Sequence, residues 1–304
     1  MTGYDVIGDI HGYAEPLVRL LEELGYRETG GAYRHPARQA VFVGDLIDRG
    51  PEQVRTLELV RAMVAGGSAK VVLGNHEFNA VAWATERPDG CPAGGHCGKN
   101  EKQHRKFLEA IGEATPAHRE WIAWFRSLPM WLDLGGLRAV HACWDPVSMA
   151  RLGDGRLTDE IVTARKGDPL YEAAEIVLKG PEVPLGDHCY VDKDDNPRND
   201  ARLKWWEPEA RTFASALEIP EDEDGTPVVE LPDTPIDRTA HPTADLEVPV
   251  LYGHYWRPGG RRAPAIDSGR TACLDWSIAK GGKLAAYRWS GEPELTDANL
   301  VWVD

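Results

Sequence analysis

The feature that most constrains this 304-residue chain is a unit that recurs: a short apolar run, a glycine, then a polar side chain able to bind a metal. Residues 4–7, 40–43 and 70–73 are runs of strand length, and each leads through Gly8, Gly44 or Gly74 into Asp9, Asp45 or Asn75. Between the first two runs, Leu17, Leu20, Leu21 and Leu24 fall at helical spacing over 14–24, with Gly25 placed to stop the helix. Between the second and third, Pro51 suits a helix start, Val54, Leu57 and Val60 supply an apolar face, and Gly66 can end it. Strand–helix–strand repeated in this way predicts right-handed crossovers and a parallel sheet in the N-terminal third. Ligands of such sheets gather at the carboxyl ends of the strands, so the three polar ends are expected to converge.

The remainder is less regular. A helix start is expected at 78–84, followed by a Gly-, Cys- and His-containing loop at 88–98 and a helical, Trp-containing stretch over 102–128. Residues 137–140 read as a strand running into His141, residues 171–178 as a helix, and residues 187–200 as a polar turn region. Residues 219–247 carry five prolines and many acids, which reads as a surface loop or lid. Strands return at 248–252, 263–266, 271–274 and 284–289, and the last three are close enough to predict an antiparallel meander. The whole is expected to be one domain, 1–304, with 78–130 a helical insertion at the rim of the site.

Two later strands also end on imidazoles, at Val140-His141 and Gly253-His254. Asp9, His11, Asp45, Asn75, His141 and His254 then form a donor set of carboxylate, carboxamide and imidazole with no thiolate. That set suits Mn, Fe, Co, Ni or Zn better than Ca or a structural zinc. It is too large for one ion with open positions and about right for two ions sharing a bridging carboxylate. A net charge of −15 argues against a long nucleic acid or an anionic membrane surface as partner. It leaves phosphorylated small molecules open, because bound cations reverse the local field. The five cysteines, at 91, 97, 143, 189 and 273, suggest no disulfide framework. Cys91 and Cys97 with His96 and His104 fit zinc spacing poorly and read as an active-site rim. With no secretory signal and no apolar run of membrane-spanning length, the cytoplasm is the expected compartment.

The ordered motifs Asp9-Ile10-His11, Gly44-Asp45 with Asp48-Arg49-Gly50, Gly74-Asn75-His76-Glu77, Val140-His141-Ala142 and Gly253-His254 resemble those of the calcineurin-like metallophosphoesterases. The resemblance is to the phosphoprotein-phosphatase branch, which includes bacterial serine/threonine phosphatases and diadenosine tetraphosphatases. Many members outside that branch end in G-H-x-H, whereas this chain has Gly253-His254-Tyr255-Trp256. The resemblance implies an α/β fold: a four-layer α-β-β-α sandwich of two mixed sheets with helices outside and the metal site at the strand C-terminal edge. It implies that Asp9, His11 and Asp45 hold one divalent ion and Asp45, Asn75, His141 and His254 a second, with manganese the first expectation. A hydroxide between the ions would then attack phosphorus. His76, oriented by Asp48, would protonate the leaving oxygen. Arg49, Asn75 and, on weaker sequence grounds, Arg202 would hold phosphoryl oxygens. Glu77, Asp267 and Asp275 read as structural, and Trp205-Trp206 as packing ahead of base stacking. The leading functional expectation is a phosphomonoesterase acting on a phosphoprotein or small phosphorylated molecule. Its alternative is a dinucleoside polyphosphate hydrolase, and a remote third is a non-catalytic binding scaffold.

Overall fold

In the computed structural model, which describes residues 3–94, 98–191, 197–220, 227–237, 246–258 and 262–304, period-two alternation sorts strand side chains between two interiors. Val6, Val41, Val43 and Val72 from one sheet meet Ala139, Leu251 and Ala272 from another in a single cluster, so the two sheets lie face to face. Their neighbours Ile7, Phe42 and Val71 point the opposite way, onto Leu17, Leu20, Leu57 and Val60 of the helices Ala14–Glu23 and Gln53–Ala65. On the far side, Val140, Val250 and Tyr252 belong to the same outer cluster as Ala173 and Val177 of the helix Pro169–Lys179. Each fully buried Leu or Ile in these layers contributes about 1.5–3 kcal/mol. This is the layered α/β sandwich expected.

The first sheet runs Asp275–Trp276, Lys283–Trp289, Gly3–Ile7, Arg38–Phe42, Ala69–Val71, with Leu300–Val303 also on Lys283–Trp289. Gly3–Ile7, Arg38–Phe42 and Ala69–Val71 are parallel, and Ile7, Phe42 and Val71 sit in register. The chain therefore leaves all three strands at one edge, where Asp9, Asp45 and Asn75 follow. The second sheet runs Thr271–Cys273, Val250–Tyr252, Arg138–Val140, Trp131–Asp133. Its first three strands are parallel as well, and deliver His141 and His254 towards the same edge.

Several expectations are corrected. The C-terminal meander does not form: Thr271–Cys273 pairs parallel with Val250–Tyr252, while Lys283–Trp289 crosses to the first sheet, antiparallel to Gly3–Ile7. Residues 263–266 are not a strand. All three residues of Thr271–Cys273 are buried, which a parallel strand covered on both faces satisfies and a half-exposed meander would not. The helical stretch 102–128 is two helices, Gly98–Ile111 and Pro116–Arg126. Gly112 (φ +80°) ends the first, and Thr115 with Pro116 starts the second. Pro51 lies just before the helix Gln53–Ala65 rather than in it. The turn region 187–200 holds a separate antiparallel pair, Tyr190–Val191 with Pro197–Arg198, and ends at Asp200, where a small antiparallel sheet of Glu182–Pro184, Asp200–Leu203 and Leu217–Glu218 takes over. Of the acidic segment 219–247, residues 221–226 and 238–245 lie outside the described residues, as do His96 and Cys97 of the Cys/His loop. Among the described residues no helix is long and apolar enough to cross a membrane.

Candidate active site

The sequence motifs converge because the loops after the strands adopt conformations that ordinary residues avoid. His11, Asp45, Asp48, Arg49 and His254 all have φ between +49° and +69°. Each such residue costs on the order of 1–3 kcal/mol and persists only where surrounding contacts fix it. Gly44 (φ +99°) permits the tightest approach: a Cβ there would lie 2.5 Å from the backbone of Gly74. Gly253 has a different reason, since a Cβ would stand 1.9 Å from Asp9 Oδ1. The His254 N–H instead donates to that Asp9 carboxylate, 3.2 Å from Oδ2.

Asp45 is the hub. Its Oδ2 faces His11 Nε2 at 3.6 Å and His76 Nε2 at 3.8 Å, and its Oδ1 faces His141 Nε2 at 3.4 Å. Two groups have ligand atoms within 4.8 Å of one another, His11, Asp45 and His76 in one, Asp45, His141 and His254 in the other. The hydrogen-bond network fixes the tautomers. His11 Nδ1 donates to the Ile47 carbonyl at 2.9 Å, and His141 Nδ1 to the Val43 carbonyl at 2.8 Å. Both Nε2 lone pairs then point inward. Asn75 Oδ1, another acceptor, lies 2.9 Å from His141 Nε2 and 2.8 Å from His254 Nδ1. Imidazole nitrogens, carboxylate oxygens and an amide oxygen thus converge in one buried space, a donor set that fits divalent metal ions.

The titration behaviour divides the imidazoles. Burial, followed by the Arg49 charge, pushes His11 well below its usual value; burial, followed by Arg202, does the same for His254. Both are held neutral, the form in which an imidazole can bind a metal. For His76, burial works against the charged ring, but Asp45 and Asp48 outweigh it and raise its pKa. Burial and then the Asp275 and Asp45 charges drive the Asp9 carboxyl well above the usual range, a crowding that a cation would relieve.

Next to the hub, His76 Nδ1 lies 2.6 Å from Asp48 Oδ2. The turn carrying Asp48 is tied by Gln53, whose Oε1 accepts from Asp48 N at 2.7 Å and whose Nε2 donates to Gly50 O at 2.8 Å. Glu77 accepts the backbone N–H groups of Asp45, Leu46, Ile47 and Gly74, clamping two site loops to each other. The structure also brings in His104, which the sequence offered only as a poor zinc candidate. Its Nδ1 lies 3.2 Å from Asp48 Oδ1. Burial acts to raise Asp48, and the bonds from His104 and His76 more than offset it, so the carboxylate stays ionised. A signal was present: His104, Phe107, Leu108 and Ile111 share one helical stripe, which places His104 on a buried face.

A cavity of about 470 Å³ opens over this floor, lined by His11, Asp45, Asn75, His76 and His254 together with Arg49 and Arg202. Arg202 comes from Asp200–Leu203, registered between Glu182 and Glu218, and its guanidinium lies 5.7 Å from the Tyr255 ring centre. Phe78, Ala82 and Gln103 from the helical segment form part of the rim. Trp205 and Trp206 are buried against Tyr252, which agrees with packing. Asp267 accepts from Tyr252 and Arg257, and Asp275 accepts from Ser277 N at 3.0 Å, the structural bonding expected of both; Asp275 also lines the cavity.

Residues 4–220 match the family model of the calcineurin-like phosphoesterases. The chain belongs to this family. It is 46% identical over 74 residues to an asymmetrical bis(5'-nucleosyl)-tetraphosphatase of Halalkalibacterium halodurans, a match covering 24% of this chain and 30% of that one. It is 28% identical over 301 residues to a symmetrical bis(5'-nucleosyl)-tetraphosphatase of Aromatoleum aromaticum, covering 93% and 92%. The chain thus spans about 30% of the length of the asymmetrical relatives that it matches at 46–48% identity. A protein serine/threonine phosphatase of Saccharomyces cerevisiae shares the fold, with TM-score 0.53 at 14% identity over 99% of this chain and 79% of that one.

Proposed function

We propose that this phosphoesterase hydrolyses dinucleoside polyphosphates, the alternative to the phosphomonoesterase that the motifs first suggested. The observation that carries this reading is the make-up of the cavity. In a chain of net charge −15, Arg49 and Arg202 line one cleft together with Tyr171, Tyr190 and Trp256. Separate cations suit a chain of phosphates, and flat rings suit a base. The tetraphosphatase names of the relatives support the same choice.

In this reading Asp9, His11 and Asp45 hold one divalent ion and Asp45, Asn75, His141 and His254 the other. Bound ions supply Lewis-acid polarisation of the phosphoryl group and activation of the attacking water. Manganese is the first candidate, with Fe, Zn, Co and Ni distinguished by metal analysis. His76 holds a proton at Nε2 for the departing oxygen, and Asp48 keeps the ring turned by accepting from Nδ1. Arg49 and Arg202 neutralise phosphoryl oxygens as charge builds on them.

The test is a substrate panel on protein of measured metal content. Diadenosine tetraphosphate should yield ADP alone or ATP with AMP, and the products assign the symmetrical or asymmetrical mode. Turnover of a phosphopeptide with no nucleotide product would refute the proposal in favour of a protein phosphatase. Changing His76→Asn should lower kcat by about 10²–10⁴-fold.

A further inference from the structure

We propose that His104 is a positioning residue for this reaction: it fixes the Asp48 carboxylate that orients His76. The inference rests on the reading of His76 as the proton donor and adds a third member to that chain.

The geometry is reciprocal. Asp48 Oδ1 takes His104 Nδ1 at 3.2 Å, which also lies 3.5 Å from Oδ2, while Oδ2 takes His76 Nδ1 at 2.6 Å, so both oxygens are engaged by imidazoles. All three side chains are buried. A carboxylate held only by His76 could turn about its Cβ–Cγ bond and carry the ring with it. With both oxygens engaged, that rotation costs a hydrogen bond.

His104 is itself constrained. Its ring stacks on Phe107 at 5.0 Å and lies 6.0 Å from the Trp83 ring. Among the described residues its Nε2 has no hydrogen-bond partner. The acceptor offered to the ring is therefore Asp48, which places the proton on Nδ1. A histidine kept merely to satisfy a core would be expected to use both nitrogens. This one presents a single N–H to the group that steers the acid. Its helix, Gly98–Ile111, also brings Gln103 to the cavity rim, so one element contacts both the substrate space and the steering carboxylate.

The experiment compares His104→Phe, which keeps an aromatic ring and removes the donor, with His104→Asn, which returns an N–H near Nδ1. His76→Asn serves as the reference, all in the metal-loaded full chain. Two readouts are taken: the downfield proton resonance of His76 Nδ1, and kcat and KM on diadenosine tetraphosphate and on aryl phosphates of graded leaving-group basicity. His104→Phe should move or broaden the His76 proton signal and lower kcat about tenfold or more with KM unchanged. The loss should grow with leaving-group basicity, and His104→Asn should recover both readouts. If His76→Asn shows no loss that grows with basicity, the reading of His76 fails. If it does, and His104→Phe leaves the proton signal in place or slows every leaving group equally, the role of His104 is overturned. Should His104→Phe not fold, His104→Asn against His104→Gln decides the matter. The amide N–H of Gln falls nearer the Nε2 position, so equal behaviour of the pair overturns the proposal.

Discussion

Changing Glu77→Gln should destabilise the protein through its site loops, and the size of the effect follows from hydrogen-bond geometry. Glu77 Oε2 accepts from Asp45 N at 2.9 Å and Gly74 N at 3.0 Å, and Oε1 from Leu46 N at 2.8 Å and Ile47 N at 3.2 Å. A carboxamide keeps one acceptor. In either orientation its NH₂ faces two backbone N–H groups, and both are left buried and unpaired. Each stranded donor costs about 1–3 kcal/mol, hence roughly 2–6 kcal/mol together. At about 2 °C per kcal/mol for a chain of this size, Tm should fall by roughly 4–12 °C. One effect opposes this. Burial and the Asp45 charge push the Glu77 carboxyl up to about 7, and removing a charge beside Asp45 relieves repulsion. A cation at Asp45 would cancel that repulsion, so the drop should be larger in metal-loaded than in chelated protein. Calorimetry on both forms, with a metal titration of the same samples, measures each part. A Tm within about 1 °C of wild type in both forms would show that the clamp is not what holds the loops.

Gly253→Ala should lower metal affinity and activity together, because its Cβ would fall 1.9 Å from Asp9 Oδ1 and displace that carboxylate; isothermal titration with Mn against wild type tests it. Chelation should abolish hydrolysis and lower Tm, and both should return as metal is added back, since an ion that binds only the folded site stabilises it in proportion to the logarithm of its concentration. Removing Arg202 by Arg202→Ala should weaken diadenosine tetraphosphate turnover more than that of p-nitrophenyl phosphate, which has one phosphoryl group; equal losses would deny it a role along a phosphate chain. His118 is buried, and burial followed by the His104 charge lowers its pKa below the usual 6.5. Its neutral form is thus favoured on folding, and the stability this gives is present above about pH 6.5 and lost as pH falls towards the folded value. His118→Phe should flatten the decline of Tm across that acid window.

Much of the site was legible because its motifs are contiguous. Asp9 and His11, Asp45 with Asp48 and Arg49, and Asn75 with His76 and Glu77 sit in three short segments, each after a buried run and a glycine. Parallel pairing in register then leaves them little choice of edge. Arg202 was harder, because the small sheet that carries it rests on pairings among residues 182–218 with weak local patterning. The C-terminal strands show the same limit. Thr271–Cys273 and Lys283–Trp289 look alike locally, and it is pairing with Val250–Tyr252 and with Gly3–Ile7 that sends them to different sheets.

By itself, then, the sequence determined the strand ends and the chemistry placed on them: carboxylates, an amide and imidazoles behind glycines that allow the backbones to touch. Those are properties of neighbouring residues, and short-range sterics express them. Only the tertiary structure decided that Asp45 faces His11 and His141 at once, and that Glu77 clamps two loops. It alone placed His104 behind Asp48 across 56 residues of chain. Such contacts depend on how layers pack, and no local pattern encodes the distance between two side chains that approach from different elements.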